Sequence, residues 1–182
     1  MSLCEHQIKS SAASEQWESA KIGIMADSHG DAALIDAAAA RLRAQGCARC
    51  FHLGDACDTT RPHTAAACLQ KLQVNRISSI RGNNEQALLH HRSPDFDTAV
   101  AALIRAMPLT RRIGPALQAH SLPIAAAMGA RCMIEDLDAD HLRRFFLHCP
   151  GTLLFRGHNH RPEIVRSTST GFLREKMMPA RP

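Results

Sequence analysis

Five short clusters along the 182-residue chain hold side chains able to grip a metal ion: Asp27-Ser-His29, Gly54-Asp55, Gly82-Asn83, His120 and Gly157-His-Asn-His160. Asp and His together offer hard oxygen and borderline nitrogen donors, a set suited to Mn, Fe, Zn, Co or Ni and not to calcium. In Asp27-x-His29 two side chains two positions apart, just past a strand, can reach the same ion, and His158-x-His160 repeats the device near the other end of the chain. Asp55 stands alone between them and can use both carboxylate oxygens to bridge two metals, while Asn83 offers a neutral amide oxygen. Two divalent ions carry +4 and the carboxylates of Asp27 and Asp55 carry −2, so a bridging hydroxide leaves a surplus of about +1 that attracts a phosphate ester. Taken singly, Asp27 or Asp55 reads as a helix cap or turn former, and His120 as a satisfied buried imidazole. Seven ligand types at seven required places favour metals.

Each cluster follows a predicted strand. The apolar run Lys21 to Ala26 stops at Asp27, the run Cys50 to Leu53 stops at Gly54-Asp55, and Ile77 to Ile80 stops at Arg81-Gly-Asn-Asn-Glu85. Helices are expected between them, from Asp31 to Gln45 with Gly46 as the stop, and from Arg61-Pro62 to about Gln73. Further on, a helix is expected over 95–107, two short strands around Gly114-Pro115, a helix over 138–148, a strand over 152–155 and one more at Ile164-Val165. Residues 1–20 read as a flexible lead-in, residues 21–182 as a single domain, and the tail from Ser167 shows little pattern. Strand, polar tip and helix in alternation build a sheet with helices on its faces, and ligands gather at the carboxyl ends of such strands.

This ordered set of motifs, over roughly residues 21–166, resembles the calcineurin-like metallophosphoesterase superfamily, and most of all its small single-domain bacterial and archaeal phosphodiesterases. The resemblance implies an α/β fold of four layers, an αββα sandwich of two mixed β-sheets flanked by helices. It implies one metal on Asp27, His29, Asp55 and His160 and a second on Asp55, Asn83, His120 and His158, with Asp55, Asn83 and His120 closest to the chemistry. Manganese is the first expectation among the divalent transition metals, and in-line attack of the bridging hydroxide is the implied reaction. The substrate is then a small phosphodiester or phosphomonoester. A catalytically weak scaffold or binding module on the same fold is the alternative. Two departures from the family pattern stand out. Where many members carry a His that protonates the leaving oxygen, this chain has Asn84, which cannot act as a general acid. Ser121 stands where Gly is usual, and the closing Asn-Pro-Gly-Ser turn is missing, so a shortened or rearranged C-terminal strand is expected.

Other residues carry weaker signals. Arg81, Arg156 and Arg161 adjoin the clusters, and Arg81, Arg161 and Asn84 are candidate substrate contacts. Glu85 is read as orienting a neighbour or capping the next helix, His63 as a surface residue, and His90-His91 as the solvated face of a helix. With 45% hydrophobic and 21% charged residues the chain can bury a core. A net charge of +5 is spread without any basic run, and aromatic residues make up only 4%, which argues against nucleic acid and membrane partners. Self-association into a homo-oligomer is left open. Seven cysteines in no regular framework, with no signal peptide, point to free, mostly buried thiols in a reducing cytoplasm, and Cys47-Ala-Arg-Cys50 is a lone pair with no partner motif.

Overall fold

Small and β-branched residues open three short runs that pair side by side. Strands β1 (Ile22–Met25), β2 (Arg49–His52) and β3 (Ile77–Ser79) form a parallel sheet in the order β1-β2-β3. The computed structural model describes residues 21–90, 97–124, 126–129 and 132–176. Parallel neighbours require crossover connections, and helices supply them. Helix α1 (Ala32–Ala44) links β1 to β2; a short 3-10 turn (Pro62–Thr64) and helix α2 (Ala65–Val74) link β2 to β3. Asp31 caps α1 by accepting from the Leu34 N–H, and Arg41 and Arg43 sit in its last turn, where cations suit the helix dipole. Gly23 lets α1 lie close, because a Cβ there would come within 2.8 Å of Leu42 Cδ1. Short helix α3 (Asn83–Leu88) follows β3, and α4 (Thr98–Ala106) completes the cover, so Ile35, Cys68, Leu72, Ile77, Leu88 and Ile104 share one core.

The second sheet is mixed. Strands β4 (Thr110–Ile113) and β5 (Ala116–Ala119) are antiparallel, and β5 pairs in parallel with β6 (Leu153–Arg156). Helix α5 (Ala139–His148), capped by the Asp138 carboxylate on the His141 N–H, packs Leu142 and Phe145 against Leu117 and Leu122. Strands β7 (Glu163–Thr168) and β8 (Gly171–Lys176) form a hairpin whose Phe172 ring stacks on Phe146 with centroids 5.8 Å apart. The sheets are tied by the Arg81 N–H after β3, which donates to the Pro108 carbonyl before β4 at 2.8 Å, and by the His158 N–H after β6, which donates to Asp27 after β1 at 3.0 Å. Helices thus cover each sheet, as the αββα expectation requires, with the first sheet wholly parallel among the described residues.

Several local expectations change. The stretch beyond Ser167 is not patternless, because Gly171–Lys176 pairs with the whole of β7. The backbone ladder to β7 holds it, with Val165 and Phe172 packed on the second core and cross-strand pairs of Arg166 with Glu175 at 2.8 Å and Arg174 with Glu163 at 3.6 Å adding to it. The expected shortening of the C-terminal strand is likewise replaced by two six-residue strands. Ser121 does not disturb this half; its buried hydroxyl accepts from the Ile134 N–H at 2.9 Å. Helix α3 ends at Leu88, so His90 lies in the turn after it, and His91 falls outside the described residues. So do the lead-in over 1–20, the first residues of the helix expected from Asp95, and the end of the tail. Cys47, Cys50, Cys57, Cys68 and Cys132 are free and buried, whereas Cys149 is disulfide-bonded, against the expectation for it. No helix among the described residues is long and apolar enough to cross a membrane.

His52, on β2, is fully buried, with Nε2 3.0 Å from Ser28 Oγ and Nδ1 without a partner. Burial first, then the neighbouring His120, pushes its pKa down from 6.5 to about 4. The unfolded ring binds its proton at a higher pH than the folded one, so stability is full above pH 6.5 and falls as the pH drops from 6.5 to about 4. Urea unfolding at pH 7, 5.5 and 4 should show this loss, and His52→Asn should make the profile shallower. An unchanged slope in the variant would place the acid sensitivity elsewhere.

Candidate metal centre

The carboxyl ends of five strands converge on one place. Asp27 and His29 follow β1, Asp55 follows β2, Asn83 opens α3 after β3, His120 follows β5, and His158 and His160 follow β6. Among the described residues six non-glycine positions have positive φ, and five of them are Asp27, His29, Asp55, His158 and His160. Left-handed backbone costs an L-residue on the order of 1–3 kcal/mol, and Asp and His tolerate it better than branched residues. Neighbouring tips hold the conformation. The Asp27 N–H donates to the Gly54 carbonyl at 3.1 Å, His29 to Asp55 at 2.9 Å and Gly30 to Ala56 at 2.9 Å. Close approach also explains the glycine beside Asn83: a Cβ on Gly82 would stand 2.2 Å from Asp55 Oδ1 and 2.5 Å from its backbone nitrogen.

The side chains fall into two groups, Asp27 with His29 and His160, and Asp55 with His120 and His158. Within each group the candidate ligand atoms lie within 4.8 Å of one another. A carbonyl oxygen only accepts, so the contact of 2.7 Å from His120 Nδ1 to the Leu53 carbonyl puts the ring proton on Nδ1. Nε2 then faces Asn83 Oδ1 at 3.0 Å and Asp55 Oδ2 at 3.3 Å, two oxygens that only accept, so either a second ring proton or a metal ion must lie between them. In the other group His29 Nε2 faces His160 Nε2 at 3.0 Å. A proton can bridge each of these contacts, and a cation can take its place; nitrogen with carboxylate and amide oxygen is a donor set that suits a divalent transition metal. The groups touch through the His158 N–H, which donates to both Asp27 oxygens at 3.1 and 3.0 Å.

Burial pushes the Asp27 carboxyl above the usual carboxylate range, against the pull of His120 and the His158 N–H. Burial also opposes charge on Asp55, but the hydrogen bond and charge of His120 outweigh it and hold Asp55 low. His120 shows the mirror image: burial would lower its pKa, and the Asp55 carboxylate raises it. His158 is lowered, by burial first and by His120 second.

Behind the ligands lies a second set of side chains. Glu85 is fully buried, and its carboxylate accepts from the backbone N–H groups of Asp55 and Gly82 at 2.8 Å each and of Cys57 at 2.7 Å. The orienting role read for it thus extends to three backbone amides at once. Asn84 faces inward: its amide Nδ2 donates to Asp55 Oδ2 at 2.7 Å, its backbone N–H donates to Oδ1 at 2.8 Å, and its Oδ1 accepts from Thr59 N–H and hydroxyl at 3.0 Å. Arg156 spends its guanidinium on the Ile134 and Glu135 carbonyls, at 2.9 and 3.1 Å. Arg161 is exposed and paired with Asp136, Arg81 is half-buried, and His63 is exposed on the 3-10 turn. Sequence reasoning missed the Arg61 side chain, which donates to the His29 carbonyl and pairs with Asp58 at 3.1 Å. Its only local signal was the Asp58-x-x-Arg61 spacing.

Two sheets that gather Asp, Asn and His at their carboxyl ends define a metal-binding α/β protein. The calcineurin-like phosphoesterase superfamily domain matches residues 20–174. The chain belongs to that superfamily. A crystal structure of a metallophosphoesterase from Sphaerobacter thermophilus has a similar fold, with a TM-score of 0.57 and 20% identity, over 79% of this chain and 62% of that one. The chain therefore spans less than two thirds of that protein's length. No curated protein matches it.

Glu85→Gln tests the backing of the site. Glutamine has one acceptor oxygen and sets an NH2 against a backbone N–H, which costs about 1–3 kcal/mol when buried. The denaturation midpoint should fall accordingly, and titration with manganese should show weaker binding. Wild-type stability and metal affinity together in the variant would refute this role.

Proposed function

We propose that the chain is a phosphoesterase working with two divalent transition-metal ions, manganese foremost, and that it favours phosphodiesters over phosphomonoesters. The convergence of candidate donor atoms at His120 Nε2, Asn83 Oδ1 and Asp55 Oδ2 carries the reading. Asp27, His29, Asp55 and His160 would hold one ion, and Asp55, Asn83, His120 and His158 the other. Bound there, the ions would supply hydroxide at neutral pH for in-line attack on phosphorus and draw charge from the phosphoryl oxygens.

The chain's own residues prepare that chemistry. The Leu53 carbonyl holds the His120 ring in the tautomer that presents Nε2. Asn84 fixes both oxygens of Asp55, which a bridging carboxylate needs. Arg81 and Arg161, which adjoin the ligand clusters in the sequence, would meet the ester's phosphate. Asn84 has no proton to give to a departing alkoxide, so the rate should depend on how readily the leaving group carries negative charge.

Purified protein with manganese should hydrolyse bis-p-nitrophenyl phosphate, and metal analysis should find two ions per chain. Asp55→Asn removes the bridging charge and should lower the rate at least a hundredfold together with the bound metal; full metal and rate would sink the assignment. Inert, metal-free protein would move the reading to a scaffold. In a series of aryl esters, log kcat/KM should fall steeply with leaving-group pKa, and a flat series would reveal a proton donor at work.

A further inference from the structure

An apolar cavity of about 270 Å³ opens beside the metal centre, between α5 and strands β6 and β7. Leu122, Leu142, Phe145, Leu154 and Val165 form its walls. Arg156, Asn159 and Arg161 line it as well, and the same three residues line the polar cleft that contains Asp27 and His160. The two hollows therefore share a wall of Arg156, Asn159 and Arg161, with Asp27 and His160 on one side of it and the apolar chamber on the other. Leu153, about half exposed at 52%, extends the apolar wall toward solvent.

The rim fixes which end of a ligand belongs where. The arginines favour an anion, and Glu163 is the one carboxylate on this lining. Arg156 and Arg161 bond the chain at 134–136, through the Ile134 and Glu135 carbonyls and the Asp136 carboxylate, which fixes where their guanidinium groups stand. Thr152 and Arg166 are the further polar members of a lining that is mostly Leu, Phe and Val. An apolar cavity of about 150 Å³ elsewhere is large enough to take benzene and stays dry when empty. This one is larger, and a mostly apolar wall with a few polar groups in it is the usual make-up of a small-molecule site.

Resting on the phosphoesterase reading above, we propose that the substrates are phosphate esters with a bulky apolar arm, alkyl or aryl and about six carbons or longer, seated in this chamber while the phosphate lies at the metal centre. Hydrolysis then breaks one P–O ester bond, the oxygen of water takes its place on phosphorus, and the released alcohol oxygen ends with a proton from that water. An aryl arm would also leave easily, in keeping with the missing donor at Asn84.

The test is the binding of non-hydrolysable alkylphosphonates, from methyl to hexyl, to the manganese-supplied protein by calorimetry. Burial of each methylene should tighten binding about three- to fourfold until the chamber is filled. Val165→Trp, which fills the chamber, should flatten the series, and Leu142→Phe should shorten it; circular dichroism and melting curves check that each variant folds. The series on the unaltered protein decides the matter without either variant. Equal affinity for methyl- and hexylphosphonate, or binding of neither, overturns the chamber's role. Manganese-dependent turnover beside a flat series would leave the phosphoesterase reading intact and remove this one. Length-dependent binding with no turnover of any ester would do the reverse.

Discussion

A buried carboxylate that holds three backbone amides is the constraint on which the rest of the site depends. Glu85 has no exposed surface, and burial together with the charge of Asp55 pushes its pKa up. Hydrogen bonds from Asp55, Cys57 and Gly82 work in the other direction. They fix the tip of β2 against the tip of β3, so Asp55 and Asn83 stand in one place relative to each other. Two carboxylates, Asp55 and Glu85, are thereby held close in a poorly hydrated region. Such an arrangement is tolerable when positive charge lies on the far side of Asp55, and that is where the nitrogen donors of His120 and His158 converge.

The backbone carries the second part of the cost. Five ligand candidates sit at positive φ, each a departure from the conformations L-residues prefer. No single hydrogen bond would maintain them. The ladder continued from β1 to β2 through Asp27, His29 and Gly30 supplies several, and close packing of Gly82 on Asp55 and of Gly157 on Asp27 removes room for relaxation. Strain concentrated at ligand positions, and held by tips from two different sheets, implies that either sheet alone would lose the geometry.

The candidate ligands that the structure brings together were legible in the sequence because each is a local event: an apolar run ends, and one or two polar side chains follow within two or three residues. Asp27-x-His29 and His158-x-His160 need no knowledge of long-range packing. The parallel sheet was legible for the same reason, since β1, α1, β2, α2 and β3 each carry their own boundary residues, such as Asp31 and Gly46. What escaped depends on partners distant in the chain. β8 is defined by its backbone pairing with β7 and by Phe172 against Phe146, not by its own pattern. The inward turn of Asn84 depends on Asp55, 29 residues away, and the buried pair of His52 with Ser28 on 24 residues of separation. The apolar chamber is built from α5, β6 and β7 together, so no segment announces it.

Asn84 links the two halves of this reading. At its position a histidine could move a proton; an asparagine cannot, yet its amide does something an imidazole would not do as well. It donates to Asp55 while its oxygen accepts twice from Thr59, so the loop after β2 and the first turn of α3 are joined through one side chain. The carboxylate it braces is the one that the proposed two-metal centre would share between its ions. Rigidity at Asp55 favours steps that depend on charge held at fixed positions, and the lack of a donor disfavours steps that depend on proton transfer. The site's selectivity would then come from how well a substrate's phosphate and leaving oxygen fit fixed charges, with the arms of the ester sorted by the surface beyond Arg156 and Arg161.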